Sequence, residues 1–224
     1  MTHLSLTELL SFLQHDPTTY RTPVVFGEAD TKIKESIMAV FSAYQGKIFC
    51  VNPYLEQSTT SKSITLKKSL EARFSFPALS VGIIGTTGLN FNKHSPEADG
   101  WPGSSTAQVV ANFAGKLHLL AELHGTNEVY YYSNFAIRWG RETYQVIYIE
   151  SVTKGTLVAA TTDGEMSKDT DELIALQFVP EGQDKTLGQM TADEKQLYHP
   201  RIKALAEVLK ELEQNGLHRE YKRK

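Results

Sequence analysis

The chain has a single cysteine, Cys50, in 224 residues. One thiol excludes an intramolecular disulfide and every CxxC-type zinc or redox site, and it fits a reducing compartment. Long apolar runs are missing too. No stretch approaches the roughly 20 residues that cross a bilayer, and the N-terminal MTHLSLTELLSFLQHD lacks the basic leader of a signal peptide. A strong charge of one sign is also absent. The formal net charge is −3, with nine basic against nine acidic residues in 1–100, six against eleven in 101–185 and eight against six in 186–224. No segment therefore carries the basic excess of a nucleic-acid face, and the basic end 219–224, REYKRK, reads as a frayed tail. Internal repeats and long linkers are lacking. These absences predict one domain, 1–224, of a cytoplasmic protein with no membrane insertion and no nucleic-acid partner. Export by a signal-free route leaves no mark that sequence can show.

Several helices can be read from what is present. Ser5 and Glu8 form a capping box ahead of Leu6, Leu9, Leu10 and Leu13. A second helix spans about Asp30 to Gln45, with Ile33, Ile37, Val40, Phe41 and Tyr44 at helical spacing. A third is expected over 105–123, where Val109, Phe113, Leu117, Leu120 and His124 fall on one face. The last opens on Thr191 and Glu194, is interrupted at Pro200 and stops at Asn215 and Gly216. Strands are expected at 22–27, 47–51, 78–84, 128–139, 143–151, 155–162 and 172–180 from their β-branched and aromatic content. Short connections among the later strands favour an antiparallel meander. The fold class is α+β: a single domain with an antiparallel β-meander in its second half, packed against several helices, and helices at both termini.

Few motifs carry chemistry. LSVGIIGTTGLNF spaces Gly82, Gly85 and Gly88 as GxxGxxG, whereas a dinucleotide loop needs GxGxxG and a following helix. No helical stripe follows, so the run reads as a strand entering a turn and no cofactor is expected. No GK[ST] or GxSxG sequence occurs. The segment Asn90 to Ser104 is a long loop holding His94, Glu97, Asp99 and Trp101, and loops of that length are commonly functional. His118 and Glu122 stand four apart and could share a metal, but no third ligand accompanies them, so they read as a surface pair. Cys50 could act as a nucleophile with His94 or His124 as its base, yet KIFCV reads as a buried strand with an inert thiol. Asp16, Asp30 and Lys32 loosely imitate a nuclease set, with Asp30 better explained as a helix cap. Tyr130, Tyr132 and Trp139 lie in an aromatic hairpin that would offer a partner-binding surface if one face were uncovered.

The function expected from the sequence is a non-enzymatic adaptor that binds another protein through this hairpin and its amphipathic end helices. The alternative is a hydrolase or transferase with a site formed by loop 90–104, His118–His124 and Cys50. A third reading is a small-ligand sensor with an apolar pocket between helix 105–123 and the sheet. Oligomeric state stays open.

Overall fold

A computed structural model of the chain describes residues 20–21, 24–27, 31–42, 48–51, 81–91, 101–103, 106–113, 115–126, 128–139, 145–160, 169–215 and 220–221. The N-terminal capping box and most of loop 90–104 lie outside them.

The glycine run is a ten-residue strand. Short strands β1 (Tyr20–Arg21), β2 (Val24–Gly27) and β3 (Ile48–Val51) and helix α1 (Thr31–Val40) precede β4 (Val81–Asn90). The turn expected near Gly85 does not form, and β4 continues through Gly85 and Gly88. The reason at Gly85 is space: a Cβ there would collide with the Phe135 ring.

The expected helix 105–123 is two helices, α2 (Thr106–Asn112) and α3 (Leu117–Leu123). Gly115 breaks the run with φ 76°, a conformation that favours glycine. A tertiary contact then starts α3: the Leu117 amide donates to the buried Gln177 side chain at 2.9 Å. That side chain donates in turn to the Leu173 carbonyl at 3.0 Å.

Two further expected strands, 143–151 and 155–162, are one. After β5 (Val129–Trp139), strand β6 runs unbroken from Gln145 to Leu157. Gly155, the glycine at which the second of these was expected to begin after a turn, lies opposite Pro180, where a Cβ would meet the Val179 carbonyl. Segment 172–180 divides instead into helix α4 (Thr170–Ala175) and strand β7 (Phe178–Pro180). Asp169 caps α4 by accepting from the Glu172 amide at 2.8 Å. The C-terminal helices form as expected. Thr191 and Glu194 close a capping box on α5 (Ala192–Tyr198), and α6 (Pro200–Gln214) restarts with proline at its first position. Glu220–Tyr221, expected in a frayed tail, form strand β8 opposite β1.

The main sheet has the order β3-β2-β4-β5-β6-β7. Strand β2 pairs in parallel with β3 and β4; β4 to β7 are antiparallel, and the meander expected in the second half is formed by β5, β6 and β7. One sheet face carries two apolar clusters. Val81, Ile83, Phe135, Ile137 and Ile149 pack beneath α1 and α6. Leu89, Phe91, Val129, Tyr131 and Leu157 pack beneath α2, α3 and α4. The second cluster fills the space in which an apolar ligand pocket was expected. Among the described residues, no helix is long and apolar enough to cross a membrane.

Candidate functional site

Between the two apolar clusters the sheet turns polar. Thr87, Ser133 and Ser151 are direct cross-strand neighbours on β4, β5 and β6, and all three are buried. The α5–α6 junction lies over this row. Thr153 donates to the Tyr198 carbonyl at 2.7 Å, which fixes the junction to β6.

Pro200 shapes what the junction presents. A residue before proline is driven from the helical region, and His199 is extended at φ −78°, ψ 114°. Arg201 follows in the first turn of α6. Its Nη2 donates to Thr87 Oγ1 at 3.0 Å, and its Nη1 lies 2.7 Å from Asp171 Oδ2 on α4. The same carboxylate oxygen lies 3.5 Å from His199 Nε2. The Tyr131 ring packs 5.7 Å from the imidazole, centroid to centroid. Asp171, His199 and Arg201 are each more than nine-tenths buried.

Arg201 and Asp171 form a buried ion pair. Burial is the main force holding the His199 imidazole below its ordinary pKa of 6.5; Arg201 and Lys195 add to it, and Asp171 opposes it. Asp171 Oδ1, His199 Nδ1, Tyr131 OH, Ser133 Oγ and Ser151 Oγ are buried with no hydrogen-bond partner. His199 and Asp171 line a cleft of about 240 Å³ whose wall also includes Glu35 and Ser36 of α1, Asp169, Glu172 of α4, Lys195 of α5 and Ile202 of α6. The cleft thus offers an ammonium, a neutral imidazole and several carboxylates, a set suited to binding a polar, charged substrate and moving a proton.

Of the residues singled out in the sequence, none of the described ones lines this cleft. Cys50 sits in β3 opposite Phe26, with its side chain outside the described residues, as are His94, Asp16 and Asp30. His118 is half-buried and Glu122 exposed, and no group of three or more His, Cys, Asp or Glu disposed to hold a metal occurs among the described residues. The structure does join His124 to loop 90–104: its ring lies 4.1 Å from Trp101, and both approach Phe91. In the aromatic hairpin, Tyr130 and Tyr132 point to one sheet face and Trp139 to the other. Tyr132 is fully buried, and Trp139 packs against an apolar cluster.

Asp171, Lys195, His199 and Arg201 were not found from sequence. Asp171 lay just before the supposed strand 172–180, at the end of a polar stretch, and His199-Pro200-Arg201 registered only as a helix break. That triplet was the available signal, because a proline flanked by two chemically capable residues fixes how both are presented.

A mixed sheet with a polar cleft at a broken C-terminal helix defines an α+β architecture with a buried charged site. The chain belongs to the Ham1 family, whose sequence model matches residues 25–211. Its structure is similar to the Ham1 protein of Staphylococcus aureus, with a TM-score of 0.59 at 12% identity, covering 87% of this chain and 100% of that one. A HAM1 protein from Coxiella burnetii matches with a TM-score of 0.57 at 12% identity, over 85% of this chain and 99% of that one. The third similar structure, from Mycobacterium abscessus, is named a nucleoside-triphosphatase, or dITP/XTP pyrophosphatase. It matches with a TM-score of 0.55 at 19% identity, over 84% of this chain and 99% of that one. No curated protein matches the sequence. These findings bear out the α+β fold class and overturn the expectation of a non-enzymatic adaptor: the chain belongs to the Ham1 family, and one of its structural neighbours is named a nucleoside-triphosphatase.

Proposed function

We propose that the chain hydrolyses a nucleoside triphosphate to the monophosphate and pyrophosphate. The observation that carries this reading is the polar cleft at the α5–α6 junction, inside the segment that matches the Ham1 family. The likeness to a protein named as a dITP/XTP pyrophosphatase supports the substrate class. In the reaction, a water oxygen bonds to the α-phosphorus, the bond to the bridging oxygen breaks, and pyrophosphate leaves with the electron pair.

The electrostatics of the cleft set a condition on the substrate. Glu35 and Glu172 line it alongside Lys195, while Asp171 is paired with Arg201 and Asp169 is engaged as a helix cap. Carboxylates repel a bare triphosphate. The substrate is therefore its magnesium complex, in which the cation offsets phosphate charge and accepts carboxylate oxygens. Lys195 supplies a charge for the phosphates. His199, uncharged near neutrality, supplies a proton acceptor or a hydrogen-bonding group.

The test is an assay of the purified chain against dITP, XTP, dATP and GTP with magnesium, following pyrophosphate and orthophosphate separately. Pyrophosphate with the matching monophosphate is expected from at least one of them. Replacing Lys195 by Ala should weaken substrate binding and raise KM. No turnover of any of the four, in a folded protein, would overturn the reading.

A further inference from the structure

We propose that Thr87, Arg201 and Asp171 are positioning residues for His199, fixing its imidazole as the Nε2–H tautomer and leaving the buried Nδ1 as the bare nitrogen of the ring. The argument follows the contacts outward from the sheet. Thr87 Oγ1 accepts from Arg201 Nη2 at 3.0 Å, so one arm of the guanidinium is tied to β4. The other arm lies 2.7 Å from Asp171 Oδ2, and that ties α4 to α6. A planar guanidinium held at both ends has little freedom, so the carboxylate it grips is held as well.

Asp171 Oδ2 then faces His199 Nε2 at 3.5 Å. An ionised carboxylate only accepts hydrogen bonds. The imidazole nitrogen facing it must carry the hydrogen, and the other nitrogen is left bare, since the partner of one ring nitrogen sets the state of the other. The separation is long for a hydrogen bond, and contacts of this kind commonly tighten when a ligand binds. Nδ1 is buried and has no partner, as is Asp171 Oδ1. Such atoms cost stability, and each one in a native fold calls for a functional explanation or an ordered water.

The surroundings favour the uncharged ring. Arg201 of α6 and Lys195 of α5 oppose a proton on it, burial does so more strongly, and Asp171 of α4 alone among the named causes favours one. Glu35 of α1 and Asp169 and Glu172 of α4 line the same cleft, and Tyr131 of β5 lies against the ring.

Only the kinetic part of the test rests on the hydrolase reading. The direct measurement is a long-range proton–nitrogen correlation spectrum of the full chain labelled with ¹⁵N-histidine, with His199→Gln used to assign the signals. Near neutral pH, His199 should show a protonated Nε2 and an unprotonated Nδ1. Asp171→Asn should shift the ring towards a mixture of tautomers, and Asp171→Glu should restore part of the preference. An Nδ1–H tautomer or an imidazolium in the wild type would overturn the proposal. So would an unchanged ring in a folded Asp171→Asn protein. If that variant does not fold, the wild-type spectrum still decides. In the hydrolysis assay, Asp171→Asn should lower kcat by about tenfold or more with a smaller change in KM, as expected when a ring lining the cleft loses its orientation. A KM change alone would contradict the relay. A wild type with the expected tautomer but no turnover would overturn the hydrolase reading and leave the relay supported.

Discussion

Two seven-residue helices of this protein end in a histidine, and the two ends differ in almost every respect. His124 closes α3 in the helical region at φ −85°, ψ 0°. Gly125 follows at φ 62°, and the ring lies at the surface against Trp101. His199 closes α5 at φ −78°, ψ 114°, because Pro200 excludes the helical conformation before it. The chain then turns back over the sheet, and the ring is buried against Asp171 and Tyr131. The next residue type decides the outcome. Glycine releases one histidine to the surface, and proline folds the other into a polar gap in the core.

The largest expected effect separates the two ends by stability. Arg201→Ala removes one partner of a buried ion pair and leaves the Asp171 charge uncompensated, which should cost about 3–5 kcal/mol. Trp101→Ala at the exposed stack removes an aromatic contact and should cost only about 0.5–1.5 kcal/mol. Urea unfolding of both variants measures the contrast; equal losses would break it.

A subtler effect is a pH dependence set by the buried end. The His199 pKa in the folded chain is lowered from 6.5, so the unfolded chain binds its proton first as pH falls. The stability this histidine confers is complete above about 6.5 and declines as pH drops below that value towards the lower folded pKa. The urea midpoint should therefore fall between about pH 7 and pH 5. His199→Gln should flatten that part of the dependence. A slope that persists in His199→Gln would assign it to other groups.

The smallest effect concerns neither histidine directly. Thr191→Ala removes the hydroxyl that caps α5, whose amide partner Glu194 is 3.3 Å away, and should cost about 1 kcal/mol. The helix it starts delivers His199, so the loss sharpens the comparison if hydrolysis falls along with the unfolding midpoint.

Local signals in the sequence served the fold well. The α1 stripe, the Thr191–Glu194 box and the restart at Pro200 all rest on neighbours within a turn of helix. The failures share a cause in tertiary contacts. Gly85 and Gly155 read as turn signals because the Phe135 ring and the Val179 carbonyl that require them lie on other strands. The break before α3 is stabilised by Gln177, 60 residues away. The cleft was hidden in the same way. Thr87 and Arg201 stand 114 residues apart, so the register of the sheet brings together what no local motif does. His199 was passed over because its segment looked structural, and it is structural; Asp171 was passed over because it closes a stretch that looked like a polar loop.

The central claim is hydrolysis of a nucleoside triphosphate in the cleft under His199. The most direct measurement is turnover of dITP in ¹⁸O-labelled water, with the products analysed by mass. Attack at the α-phosphorus predicts one labelled oxygen in the nucleoside monophosphate and none in the pyrophosphate. Label appearing in orthophosphate, or no labelled product from a folded protein, would contradict the account.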